Sequence, residues 1–161
     1  MPFNVLVLCT GNSARSILGE MLFNHLGQGR IRAYSAGSKP AGVVNPVALE
    51  TLREHGVPFE GARSKSWDEF ACPEAPKIDF VFTVCDNAAN EVCPVWPGHP
   101  TTAHWGIPDP AHVEPLDARR AAFEATYQSL HKRISAFLAL PLETMTRADI
   151  AAAARRIHEE N

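Results

Sequence analysis

The chain has 161 residues, 45% apolar and 20% charged, with 15 Lys and Arg against 18 Asp and Glu for a formal net charge of −3. That length suits one domain, burying roughly 70% of its unfolded surface without needing disulfides or metals for stability. The slightly acidic balance advertises no nucleic-acid partner. The apolar runs are too short for a bilayer span, and the N-terminus lacks the charged and long apolar regions of a secretory signal. A cytoplasmic α/β enzyme is the class that remains.

The elements follow from periodicity and punctuation. Phe3 to Leu8 is a Val- and Leu-rich run that reads as a buried parallel strand. The small residues 10 to 14 break it. Ile17, Leu18, Met21, Leu22, His25 and Leu26 then share one helical face, and Gly27 is the expected stop. Ile31 to Ser35 is a second strand. Asn45-Pro46 is an N-cap followed by proline at the first helical position, with Gly56 ending that helix. Ser66 and Glu69 form a capping box that opens a short helix through Phe70. Residues 71 to 77 are a Pro-rich loop. Ile78 to Val84 is the most buried strand, residues 85 to 100 are irregular, and Thr102 to Gly106 is a short last strand. Asp117 is the expected cap of a long helix carrying Phe123, Tyr127, Leu130, Ile134 and Phe137. After Pro141, Thr146 and Asp149 make a second capping box before an alanine-rich helix with Ile150 and Ile157 as its apolar contacts.

Strands alternating with helices predict a doubly wound α/β fold: a four-stranded parallel sheet, order 2-1-3-4, with helices on both faces. The expected division is a domain over residues 1–140 and a C-terminal helical extension over 141–161, packed on or beside it. Ligands of such sheets bind beyond the carboxyl ends of the strands, where the strand order reverses between strands 1 and 3.

Cys9-Thr10-Gly11-Asn12-Ser13-Ala14-Arg15-Ser16 lies at that point, between a strand and a helix. Backbone N–H groups of residues 10 to 15 can form a nest for an oxyanion, and the helix N-terminus adds positive potential. Arg15 offers a bidentate fork. The same field should favour the Cys9 thiolate, and Ser16 can hydrogen-bond that thiolate and ease its departure. The four cysteines, Cys9, Cys72, Cys85 and Cys93, contain no CxxC pair and make a poor zinc signature, as do His99, His104 and His112.

Val7 to Ser16 resembles the phosphate loop of the low-molecular-weight protein tyrosine phosphatase superfamily. The closer likeness is to its arsenate reductases, through Tyr34-Ser35-Ala36-Gly37, Thr83-Val84-Cys85-Asp86-Asn87, Cys93-Pro94 and His104-Trp105-Gly106-Ile107-Pro108-Asp109-Pro110. The likeness covers about residues 3 to 139. It implies that Cys9 attacks arsenate held by Arg15 and the loop amides, that Asp109 is the general acid, and that Cys85 then displaces arsenite by bonding to Cys9. Cys93 would resolve that disulfide and present Cys85–Cys93 to an external thiol, thioredoxin or glutathione with glutaredoxin. No tightly bound cofactor is expected.

The resemblance also allows a potassium ion at Asn12, Glu20 and Ser35, with Ser66 where a carboxylate would complete the set. Ala14 stands where many superfamily members carry a second cysteine. Cys72 has no counterpart and reads as non-catalytic. Ala111 and His112 follow the Asp-Pro pair where phosphatases of this type carry aromatics, which favours a small inorganic oxyanion. Trp67, Trp96 and Trp105 are the candidates to replace that aromatic wall. The alternatives are a phosphotyrosine or small-phosphoester phosphatase using Cys9, Arg15 and Asp109 without Cys85 or Cys93, and a phosphate- or arsenate-binding module without turnover.

Overall fold

In the computed structural model, which describes residues 2–85 and 100–160, the apolar runs pair as one parallel sheet. Its strands are β1 (Phe3–Leu8), β2 (Ile31–Ala36), β3 (Phe80–Thr83) and β4 (Thr101–His104), in the order β2-β1-β3-β4. The helices are α1 (Arg15–Gly27), α2 (Pro46–Glu54), α3 (Leu116–Leu138) and α4 (Arg147–Glu160), with a single 3-10 turn at Trp67–Phe70. Strand alternation divides the core. Val5, Val7, Phe80 and Phe82 face a cluster shared with buried residues of all four helices. Leu6, Leu8 and Val81 face a second cluster, closed by Trp67 and Phe70 of the 3-10 turn.

The register decides which loops meet. Leu8 is paired with Ala36 on one side and Thr83 on the other, and Thr83 with His104. The residues that follow β1, β3 and β4 therefore emerge together at one sheet edge.

Several local expectations are refined. Asp79 N–H still donates to the Asn4 carbonyl at 2.8 Å and Val84 N–H to that of Leu8 at 2.9 Å, so the ladder extends beyond the short β3. Trp105 N–H likewise donates to Thr83 at 2.7 Å, one residue past β4. Asp117 is not the cap of the long helix. Pro115 holds that position, its carbonyl accepting from Arg119 N–H at 2.9 Å, and Asp117 sits in the first turn, where its charge suits the helix dipole. The first capping box gives way to a simple cap: Ser66 Oγ accepts from Asp68 N–H at 3.1 Å rather than from Glu69 N–H, and Glu69 turns outward to Arg63. Gly27 is the last helical residue rather than the turn itself. Gln28 takes the left-handed conformation, and Gly27 is small because a Cβ there would lie 2.9 Å from Ile31.

The last helix is joined to the sheet. Thr146 Oγ1 caps it by accepting from Asp149 N–H at 3.1 Å, and Ile150, Ala154 and Ile157 enter the main core. Trp105 Nε1 donates to the Ala154 carbonyl at 2.9 Å, and its ring lies 4.2 Å from that of Phe82. Trp105→Phe removes the donor and leaves a void, so a loss of about 2 kcal/mol is expected, read as a lower denaturant midpoint at unchanged slope. Among the described residues, no helix is long and apolar enough to cross a membrane.

Candidate active site

The loop after β1 is built so that three of its carbonyls are bonded by neighbouring segments. Thr10, Gly11 and Ser13 carbonyls accept from the N–H groups of Lys39 at 3.0 Å, Ala41 at 2.9 Å and Asn45 at 2.8 Å. Among the described residues, no carbonyl accepts from the amides of Asn12, Ser13, Ala14 or Arg15. Residues 9 to 15 instead line a cavity of about 470 Å³, closed on its other sides by Ala41, Val43, Asp109 and His112. Helix α1 starts here without a side-chain cap or an acidic residue in its first turn. Unused donors and the positive end of a helix are what an oxyanion needs.

Asn12 holds the loop's shape. It is fully buried, has φ of 45°, accepts from Lys65 N–H at Oδ1 (2.9 Å) and donates from Nδ2 to Ser16 Oγ (2.8 Å). Asparagine tolerates the left-handed region because its side chain can make such local bonds. The bond found for buried Ser16 is thus to Asn12.

Arg15 is oriented by the loop after β4. Its Nη1 donates to the Ile107 carbonyl at 2.8 Å, and Ile107 is itself tied to the end of β3 through Val84. Nη2 lies 3.6 Å from Asp109 Oδ2, while buried Nε has no partner among the described residues. Asp109 is 40% exposed. Its Oδ1 accepts from Ala111 N–H at 2.9 Å, and Oδ2 is 3.8 Å from His112 Nε2. The carboxylate is held at the cavity rim, facing the guanidinium across from Cys9.

Cys85 lies two residues past β3, against the loop. Its Sγ accepts from Thr10 N–H at 3.3 Å and is 3.6 Å from Thr10 Oγ1. Cys9 and Cys85 are both buried, and their thiols interact. That interaction, together with burial, pushes the Cys9 thiol up. Arg15 and the Gly11 amide pull it down without prevailing. The expected preference for the Cys9 thiolate is therefore reversed in this arrangement. Two adjacent thiols do not both ionise, and the neighbour counts for more than the arginine.

The remaining candidates separate. Cys93 and His99 lie outside the described residues, as does Trp96. Trp67 and Trp105 are in opposite core clusters and neither lines the cavity, so they do not replace the missing aromatic wall. His104 Nδ1 is 2.7 Å from Thr83 Oγ1, well away from His112 in role, and Cys72 is exposed. Among the described residues, no group of three or more His, Cys, Asp or Glu is arranged to hold a metal. Glu20 accepts from the Ser35 hydroxyl and faces Lys65 Nζ at 3.7 Å. Lys65, Gly37 and the Ala41–Val43 wall were not legible in sequence, because each acts through partners far along the chain.

A parallel sheet with a cysteine-headed oxyanion loop at its switch point defines a thiol-dependent phosphatase-like α/β protein. The chain belongs to the low molecular weight phosphotyrosine protein phosphatase family, whose model matches residues 4–150. It is 36% identical to the arsenate reductase of Halalkalibacterium halodurans over 81% of this chain and 91% of that protein. Two solved structures are similar. One is a thioredoxin-dependent arsenate reductase of Corynebacterium glutamicum (25% identity, 83% of this chain and 62% of that one, TM-score 0.56). The other is a tyrosine phosphatase of Erwinia amylovora (26% identity, 84% and 90%, TM-score 0.64).

Proposed function

We propose that this protein reduces arsenate to arsenite through a relay of thiols. The observation that carries the reading is the buried Cys85 thiol, which accepts from Thr10 N–H at 3.3 Å in the oxyanion loop and interacts with the thiol of Cys9. Ester hydrolysis has no use for a second thiol there. The relatives named arsenate reductase support the same reading.

The steps balance as follows. Arsenate enters the cavity and is held by the loop amides and Arg15, which offset its charge. The Cys9 thiol passes its proton to the Asp109 carboxylate as its sulfur bonds to arsenic, and an arsenic-bound hydroxyl leaves as water after taking that proton from Asp109. The Cys85 thiolate, its proton lost to water, attacks Cys9 Sγ. The sulfur–arsenic bond breaks, its electron pair stays on arsenic, and As(V) leaves as As(III). The Cys9–Cys85 disulfide holds the two electrons' worth of oxidation. Cys93 then attacks Cys85, frees Cys9 and forms Cys85–Cys93, which an external thiol reduces. Thioredoxin, or glutathione with glutaredoxin, is the reductant class, which places the protein in the cytoplasm.

Phosphoester hydrolysis is the second reading, favoured by the family and by the Erwinia amylovora neighbour. It would use the same Cys9, Arg15 and Asp109. The cavity wall beyond Asp109 is Ala111 and the exposed His112, which gives a phenol ring no large aromatic face to stack on.

A single turnover tests the proposal. Fully reduced protein is mixed with arsenate without external thiol, and arsenite and disulfides are mapped together. About one arsenite per chain with a Cys85–Cys93 bond is the expected result. No arsenite and four free thiols would overturn it.

A further inference from the structure

Lys65 is buried, and no step above uses it. Its backbone is part of the oxyanion loop's support: the N–H donates to Asn12 Oδ1 at 2.9 Å, and the carbonyl accepts from Gly37 N–H at 3.0 Å. Its side chain donates from Nζ to the Arg63 carbonyl at 3.1 Å and faces Glu20 Oε1 at 3.7 Å. Glu20, on α1, is mostly buried, with its side chain 12% exposed, and accepts from the Ser35 hydroxyl. One residue thus joins an ion pair on the loop's own helix to the asparagine that shapes the loop.

Asn12, Glu20 and Ser35 are the residues at which the family resemblance allows potassium, and they do not fit that ion here. The Asn12 oxygen is engaged by the Lys65 amide, the Ser35 hydroxyl is turned to Glu20, and the positive charge beside Glu20 is the Lys65 ammonium. A carboxylate this buried needs one cationic partner, and it has one that is covalently attached to the chain.

We propose that Lys65 is a positioning residue whose tethered ammonium neutralises Glu20 and, through the backbone bond to Asn12, keeps the oxyanion loop in its anion-binding shape without an added monovalent cation. The inference rests on the loop being an oxyanion site. It does not depend on which chemistry follows binding. Burial pushes the Lys65 amine down and the Glu20 carboxyl up, while each partner opposes the other's shift. The charged pair is therefore held by mutual attraction, and losing one member leaves the other uncompensated.

The test is binding of inorganic phosphate to reduced protein, in potassium chloride against choline chloride at equal ionic strength, with arsenate turnover alongside. Wild-type affinity is expected to be the same in both salts. Lys65→Met should weaken phosphate binding by about tenfold. It should raise KM for arsenate more than it lowers kcat. Potassium should recover much of the binding, because the exposed need of Glu20 is for a cation. Lys65→Arg should stay near wild type. In the double variant Glu20→Gln with Lys65→Met, which stays foldable because no charge is left buried, the potassium effect should vanish. Tightening of wild-type binding by potassium would overturn the proposal, as would unchanged phosphate affinity in a folded Lys65→Met protein or a potassium effect that persists in the double variant. Wild-type protein that binds no phosphate in either salt would instead refute the oxyanion site itself, and the proposal with it.

Discussion

Replacing Cys85 with serine is expected to lower arsenite release by at least ~10³-fold while leaving hydrolysis of an aryl phosphate within about threefold of wild type. The serine hydroxyl is close in size and can keep the hydrogen bond from Thr10 N–H that the sulfur now accepts at 3.3 Å. The loop, Arg15 and Asp109 therefore stay in place. What is lost is a nucleophile able to attack Cys9 Sγ and drive the electron pair onto arsenic. Steady-state arsenite assay against hydrolysis of p-nitrophenyl phosphate separates the two activities. Undiminished arsenite release would mean that an external thiol, not Cys85, completes the reduction. Cys85→Ala adds a second readout. The Cys85 thiol is the largest cause holding the Cys9 thiol up. Without it, the pKa of Cys9 falls, so alkylation of Cys9 should begin at lower pH than in wild type.

Gly37→Ala is the second change with a large expected effect, and it lies outside the loop whose shape it would alter. A Cβ at residue 37 would stand 2.3 Å from the Thr10 carbonyl oxygen and 2.6 Å from that of Cys9. Residue 37 has no room to retreat, because its N–H is bonded to Lys65 at 3.0 Å and its carbonyl to Trp67 N–H at 2.9 Å. The loop must move instead, and with it Cys9. A destabilisation of about 2–4 kcal/mol and roughly 100-fold lower kcat/KM are expected from denaturant unfolding and turnover assays. Gly11→Ala is the contrast. Gly11 is within the motif, but a Cβ there meets nothing nearer than Ser13 Oγ at 3.8 Å, so folding stability should change by less than about 1 kcal/mol. A Gly37→Ala protein as stable and active as wild type would show that the contact does not shape the loop.

The difference between these two glycines shows where reading the chain succeeds and where it stops. Cys9 to Ser16 is contiguous, so its chemistry is visible before any fold is known. The same is true of Asn45, whose Oδ1 accepts from Val47 N–H at 2.9 Å as the Asn-Pro pair predicts, and of Thr146 at the last helix. These signals act across a few residues. Periods of two and of 3.6 then sort the apolar residues onto faces, and the alternation of strands and helices leads to the 2-1-3-4 order. Asp117 marks the limit even of local signals: a good capping residue lost its place to Pro115, because the helix begins at Leu116 and takes Asp117 into its first turn.

The amino-acid sequence by itself determined the sheet, its order and the Cys9–Ser16 loop at its switch point, since each is written in neighbouring residues or in a simple period, whereas Asp109 and Cys85 were singled out through the family resemblance. Only the tertiary structure decided how those groups behave. Arg15 takes its direction from the Ile107 carbonyl, Cys9 is held protonated by a cysteine at the end of another strand, and Glu20 meets Lys65. Such contacts join residues tens of positions apart, and their distances follow from strand register and helix packing rather than from any local preference of the chain.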